Sequence, residues 1–416
     1  VAGWLRLDFP GLARPVLLPD DGRLAGELSR ILRGWTPRIS RDAATPADAL
    51  ARLEARDGGY CLHSALLDAP LPGLSAASAL CALVADLAQD FYEQRPGSLA
   101  LHCGAFRIAG RLVALAGTAH AGKSTLITRL GAEPDLEIFG DDVLPLLSDG
   151  RAFALGIAPR LRLPLPEASS AALRAHVARW AGPRDGRYAY VVTPNLASHG
   201  TRAPLAALVV LQRRPDGPAR LHHVAQAEAL HHLLARNMAG TPGAAFEDAR
   251  ALAARLVCVK LVYSGLEEAV ALLRRAFGGV TEDLPPSLGP EIPPLMPRFP
   301  PAPPHRPYRR AAGVVLRRHG GAGFLWRAGE AGFWQVNAVA HAVWAMLEHP
   351  ASAAELAAAL AEVFSAVPPG TLQGDVAALL GGLAAHGLAE PCPECPGLDE
   401  PGPDQPCRPS QTLAGM

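Results

Sequence analysis

The residues best suited to chemistry lie between positions 102 and 142. Residues 117 to 125 read GTAHAGKST, a match to G-x-x-x-x-G-K-[ST]. That spacing serves phosphate: the glycines let backbone N–H groups curl round an anion, the lysine reaches the outer oxygens, and the Ser or Thr hydroxyl binds Mg2+. The candidate nucleotide contacts are Gly117, Thr118, Ala119, His120, Ala121, Gly122, Lys123, Ser124 and Thr125, and the expected cofactors are ATP and Mg2+. Lysine occurs twice in the chain, at 123 and 260, against 37 arginines. A chance match should therefore arise on the order of once in a thousand such chains.

Asp141 and Asp142 follow Lys123 by 18 and 19 residues and end the apolar run LEIF. In phosphate-loop folds a strand-end carboxylate holds Mg2+ or its waters, and a second can accept a proton from an attacking hydroxyl. Asp141 joins Ser124 as candidate metal ligand; which of the two acids acts as base stays open. His102, in LALHCGAF on the preceding strand, is either a packed strand histidine or a third catalytic group. His120 has no defined role beyond its place in the loop.

Positioning these groups needs a strand running into the loop and a helix leaving it, whose N-terminus adds positive potential. RLVALAG and STLITRLGA supply both. LEIFGDDVLPLL reads as the acid-bearing strand, LAALVVLQRR as a buried strand, and GLEEAVALLRRAF as an amphipathic helix. Residues 1–95 form an N-terminal α+β region around the helix SAASALCALVADLAQDFYEQR, and the phosphate-loop domain covers 96–280. Residues 281–306 hold ten prolines in 26 positions, which excludes helix and sheet interior and predicts a polyproline-type linker reaching at most about 80 Å. Residues 307–390 then read as a hairpin turning at HGGAG and three helices, with Ser352 a candidate N-cap, before a Pro-rich tail over 391–416 that is expected to be disordered.

The 416 residues are 49% hydrophobic, with 39 basic and 39 acidic side chains. A balanced charge provides no global field toward nucleic acid or anionic membrane, so neither is an expected partner. Seven dispersed cysteines make no disulfide framework, and no apolar run reaches membrane-span length. A cytoplasmic protein is expected. Cys392 and Cys395, in CPEC, with Cys407 fall short of the two close pairs of a structural zinc site.

The run LALHCGAF, RLVALAGTAHAGKSTLITRL and FGDDVLPL resembles the catalytic domain of HPr serine kinase/phosphorylase and its relatives. The resemblance implies an α/β P-loop kinase core with a mixed sheet and flanking helices, transferring the γ-phosphoryl of ATP to a serine hydroxyl. It places Lys123 on the phosphates, Ser124 on Mg2+, Asp141 and Asp142 as metal contact and base, and His102 near the transferred group. It also implies a homo-oligomer. FWQVNAVAHAVWAMLEHPASAAELAAALAEVF, with Asn337 heading a helix and Trp344 in its apolar face, resembles the PqqD-like family. That implies a winged-helix-type domain over 307–390 binding a precursor (leader) peptide as an added strand. Joined, the two imply a kinase phosphorylating a Ser or Thr of a ribosomally made peptide held by its own docking module. The alternative is an ATP-gated peptide chaperone that presents the precursor to separate modifying enzymes.

Overall fold

A computed structural model describes residues 3–42, 48–95, 99–118, 120–279 and 299–392. It is a mixed α/β structure with several sheets. Two compact units divide the described chain: one takes 3–279 with 315–336, the other 299–314 with 337–392. Ala119, the linker residues 281–298 and the tail with Cys395 and Cys407 lie outside the described residues.

The first unit begins with a six-stranded sheet in the order Arg38–Asp42, Trp4–Asp8, Val16–Pro19, Ala51–Arg56, Gly59–Ser64 and Leu71–Leu74. Alternation in WLRLD turns Leu5 and Leu7 inward, as a half-buried strand requires. Helix Ala76–Glu93 starts where Ser75 Oγ accepts the Ser78 N–H at 3.1 Å and buries Leu80, Leu83, Val84, Leu87 and Phe91. The helical period brings these residues onto one face.

The second, nine-stranded sheet positions the candidate site. Its central strand, Arg202–Arg213, runs parallel to the loop strand Arg111–Gly117 on one side and to the lysine strand Val257–Tyr263 on the other. Helices cover both faces, which is why the strand reads as an unbroken apolar run. On one face Val113, Leu115, Val209, Val259 and Leu261 pack with the loop helix Lys123–Leu130 and helix Leu266–Gly278. On the other, Ala114, Ala116, Leu208 and Cys258 pack with the cavity helix Gln226–Arg236 and helix Pro242–Arg255.

The run LALHCGAF is not one strand. Leu99–Leu101 pairs with Leu144–Leu146, whereas Gly104–Ile108 pairs with the loop strand and with Leu136–Gly140. The chain changes neighbours at His102 and Cys103, so His102 stands between the two strands and not on the strand beside the loop. Gly104 makes room for the loop helix, since a Cβ there would come within 2.3 Å of the Ile127 side chain.

The hairpin Val314–His319 and Ala322–Arg327 gains a third strand, Phe333–Val336, that the sequence reading did not foresee. Residues 315–336 group with the first unit. Phe324 and Trp326 are buried against Phe246 of helix Pro242–Arg255, with ring centroids 5.8 and 5.1 Å apart. Gly243 makes room: a Cβ there would stand 2.6 Å from Trp326 Nε1.

In the second unit, helices Ala338–Met346, Ala353–Ala361 and Pro369–Ala385 follow. Asn337 Oδ1 caps the first by accepting the Ala340 N–H at 2.8 Å. Ser352 forms a capping box with Glu355 at the second. Residues 299–306, read from sequence as linker, are tied down at one point: Ala302 is buried and its N–H donates to Ala377 O at 2.8 Å. Gly381 allows that approach, because a Cβ there would sit 2.2 Å from Pro300 O.

Candidate functional site

The loop strand ends at Gly117 and the loop helix begins at Lys123. Gly122 has φ 91°, a conformation that favours glycine, and a Cβ there would stand 2.5 Å from Tyr263 Oη. The same hydroxyl donates to Ala121 O at 2.7 Å, so the end of the lysine strand pins the loop. Gly117 is tight as well, its notional Cβ lying 2.9 Å from Ala121 Cβ. Lys123 Nζ donates back to Gly117 O at 3.1 Å and Thr118 O at 3.4 Å. Thr118 and His120 are exposed on the loop, with His120 at φ 63°. Thr125 follows Ser124 in the first turn of the helix.

Asp141 and Asp142 leave strand Leu136–Gly140 in a sharp turn, with Asp142 at φ 72°. A non-glycine residue held in the left-handed region is stored strain, a feature that clusters at functional sites. The turn separates the two carboxyls. Asp141 is 6% exposed; its Oδ2 accepts the Arg160 N–H at 3.3 Å, and its buried Oδ1 has no hydrogen-bond partner among the described residues. Burial first, and then the neighbouring Asp142 charge, push its pKa up to about 7, while the Arg160 N–H and the nearby Ser124 work the other way. Asp142 is far more open. Its Oδ2 accepts from Arg160 Nη2 at 3.0 Å, and its Oδ1 lies 4.0 Å from His102 Nε2.

His102 and Lys123 both have lowered pKa values. For His102 the causes are burial and then the Lys123 charge, with Asp142 opposing; for Lys123 they are burial and then Arg236, with both acids opposing. The structure thus brings His102, Lys123, Ser124, Asp141 and Asp142 to one end of the sheet. Two further cations belong with them, Arg160 and Arg236. Arg236 ends the cavity helix, its carbonyl accepts the His102 N–H at 2.7 Å, and its buried Nε has no hydrogen-bond partner among the described residues. Neither could be singled out among 37 arginines, because each is made relevant only by distant pairing. Gly117, Thr118, His120, Ala121, Val210, Gln212, Arg213, His232, Arg236 and Lys260 border a cavity of about 370 Å³.

These residues fit a nucleotide and a divalent cation. The glycines keep the loop bare, Lys123 rests on its own loop carbonyls, and the partnerless Asp141 Oδ1 is a ready cation ligand beside Ser124. Among the described residues no group of three or more His, Cys, Asp or Glu could hold a metal. A cation here would draw its other oxygens from phosphate and water, as Mg2+ commonly does. In the second unit, Val339, Phe364, Val367, Leu372, Val376 and Leu379 line an apolar groove, also of about 370 Å³. No helix among the described residues is long and apolar enough to cross a membrane.

Residues 322–389 match the family described as Coenzyme PQQ synthesis protein D (PqqD). The match begins at the buried hairpin strand of the first unit and continues through the three helices of the second. Among solved structures, the chain is similar to TbiB1 in complex with the TbiA(beta) leader peptide, with 23% identity over 20% of this chain and 94% of that one, TM-score 0.19. It is also similar to the Hpr(Ser) kinase/phosphatase from Coxiella burnetii, with 12% identity over 42% of this chain and 95% of that one, TM-score 0.22. No curated protein matches.

Proposed function

We propose that this chain is an ATP-dependent kinase that phosphorylates a Ser or Thr of a ribosomally made precursor peptide, which its PqqD-like region holds. The observation that carries the reading is the convergence on one loop of Lys123, Ser124, the Asp141–Asp142 turn and His102. A site that only bound nucleotide would not need two carboxylates with such different surroundings. The PqqD match at 322–389 supports a peptide as the substrate.

The two acids take different roles because their exposure differs. Asp141, buried beside Ser124, holds the divalent cation, which neutralises phosphate charge when bound. Asp142, open to solvent and flanked by His102 and Arg160, accepts the proton of the attacking hydroxyl. The hydroxyl oxygen bonds to the γ-phosphorus, the bond from that phosphorus to the β,γ-bridging oxygen breaks, and ADP leaves. Lys123, which rests on loop carbonyls of the cavity wall, and Arg236, in that wall, stabilise the charge that develops on the phosphoryl oxygens.

The test is mass spectrometry of the precursor peptide encoded beside the gene, incubated with MgATP and either wild type or Asp142→Asn. A phosphoryl increment on Ser or Thr with wild type, lost in the variant while ATP still binds, is the expected result. Unmodified peptide that binds the wild-type protein in an ATP-dependent way would replace this reading with an ATP-gated chaperone.

A further inference from the structure

Each of the two lysines in the chain rests on a protein oxygen beside the same cavity. Lys123 donates to Gly117 O and Thr118 O, which belong to residues in the cavity wall. Lys260, on the lysine strand, lines the cavity itself and meets Glu228 of the cavity helix, with Nζ 2.7 Å from Oε1. Elsewhere this sequence supplies its basic charge as arginine, 37 times. Arginine offers a rigid planar fork, whereas lysine offers a compact charge on a flexible four-carbon stem that can change partners. Lys260 is 8% exposed, opposite Val210 on the central strand and His222 on the neighbouring strand. Glu228 is held well ionised, with a pKa lowered to about 2 by the neighbouring His232 and Lys260 acting against burial. Its charge keeps the ammonium in place.

We propose that Lys260 is a nucleotide-binding group, latched to Glu228 in the ligand-free chain and transferred to the polyphosphate of a nucleoside triphosphate when one enters the cavity. The inference rests on the reading that ATP binds at this loop, and it adds a second lysine, from the lysine strand, to the contacts the loop motif provides. Glu228 then sets affinity by competing with phosphate for the same ammonium, and His232, 3.6 Å from Glu228, takes over the carboxylate once Lys260 departs.

The first experiment uses the native protein. An acyl-phosphate derivative of ATP acylates lysines that lie beside bound phosphates, and with two lysines in the chain the modified peptides are unambiguous. Acylation of both Lys123 and Lys260, suppressed by excess MgATP, is expected; acylation confined to Lys123 would overturn the proposal. The second measures MgATP and AMP dissociation constants by calorimetry for wild type, Glu228→Gln and Lys260→Met/Glu228→Gln, the double variant leaving no buried charge unpaired. Glu228→Gln should tighten ATP several-fold. The double variant should weaken ATP about tenfold, the loss of roughly one charge-assisted hydrogen bond, with AMP changed much less. ATP affinities equal in all three proteins, each with an intact cooperative melt, would refute the latch. Failure of wild type to bind any nucleotide would instead refute the kinase reading beneath it.

Discussion

Replacing Asp141 by Asn should make the ligand-free protein more stable at alkaline pH. In the unfolded chain the carboxyl titrates near 3.8, whereas burial and the Asp142 charge hold it near 7 in the fold. The native state therefore keeps a proton that the unfolded chain gives up between about pH 4 and pH 7. Stability from this group is complete below the lower value and is lost as pH rises through the upper one. A gap of three pKa units corresponds to ~4 kcal/mol. Asparagine cannot ionise, and its carbonyl can still accept the Arg160 N–H. The variant should exceed wild type by ~2 kcal/mol near pH 5 and by ~4 kcal/mol near pH 8. Urea unfolding at the two pH values, monitored by tryptophan fluorescence, measures both differences. A variant that is less stable than wild type at pH 8, or one whose advantage is the same at both pH values, would refute the argument that the buried carboxyl is costly in the absence of a cation.

Tyr263→Phe removes the hydrogen bond to Ala121 O and should cost about 1 kcal/mol of stability, with weaker MgATP binding as the loop loosens; calorimetry against wild type checks both. Trp326→Ala should destabilise the first unit by about 3–5 kcal/mol, as truncation of a large buried aromatic does, read from a shift of the urea midpoint. Gly381→Ala places a methyl against Pro300 O in the second unit and should lower its melting temperature, whereas Gly370→Ala, where a Cβ meets nothing within 4 Å, should leave it unchanged.

Local features were legible in the sequence wherever a short pattern determines its own geometry. The glycine spacing of the loop, the apolar run of the central strand and the Ser352–Glu355 pair each state their conformation within a few residues. Partner choice was less legible. LALHCGAF carries the pattern of one strand, yet its halves join different neighbours because Leu101 finds Leu144 while Gly104 finds Leu115. Arg160, Arg236 and Lys260 acquire meaning only when residues 18 to 137 positions from the loop lysine and the acid turn fold beside them. Prolines in 299–306 correctly exclude helix and strand, but they do not exclude packing, and Ala302 finds a partner on the last helix through an ordinary backbone hydrogen bond.

The burial of Phe324 and Trp326 against Phe246 fixes where the PqqD-like region begins. A sheet carried on a loose proline tether would sweep any segment bound to it through a large volume. Here the sheet ending in Phe333–Val336 is fixed to the same unit as Lys123 and the acid turn. On the proposed reading, a peptide strand laid along that edge starts from a fixed point, and the residues between the docked segment and the acceptor act as a ruler, at about 3.3 Å each when extended. Selection would then follow the acceptor's distance along the peptide as much as the residues around it.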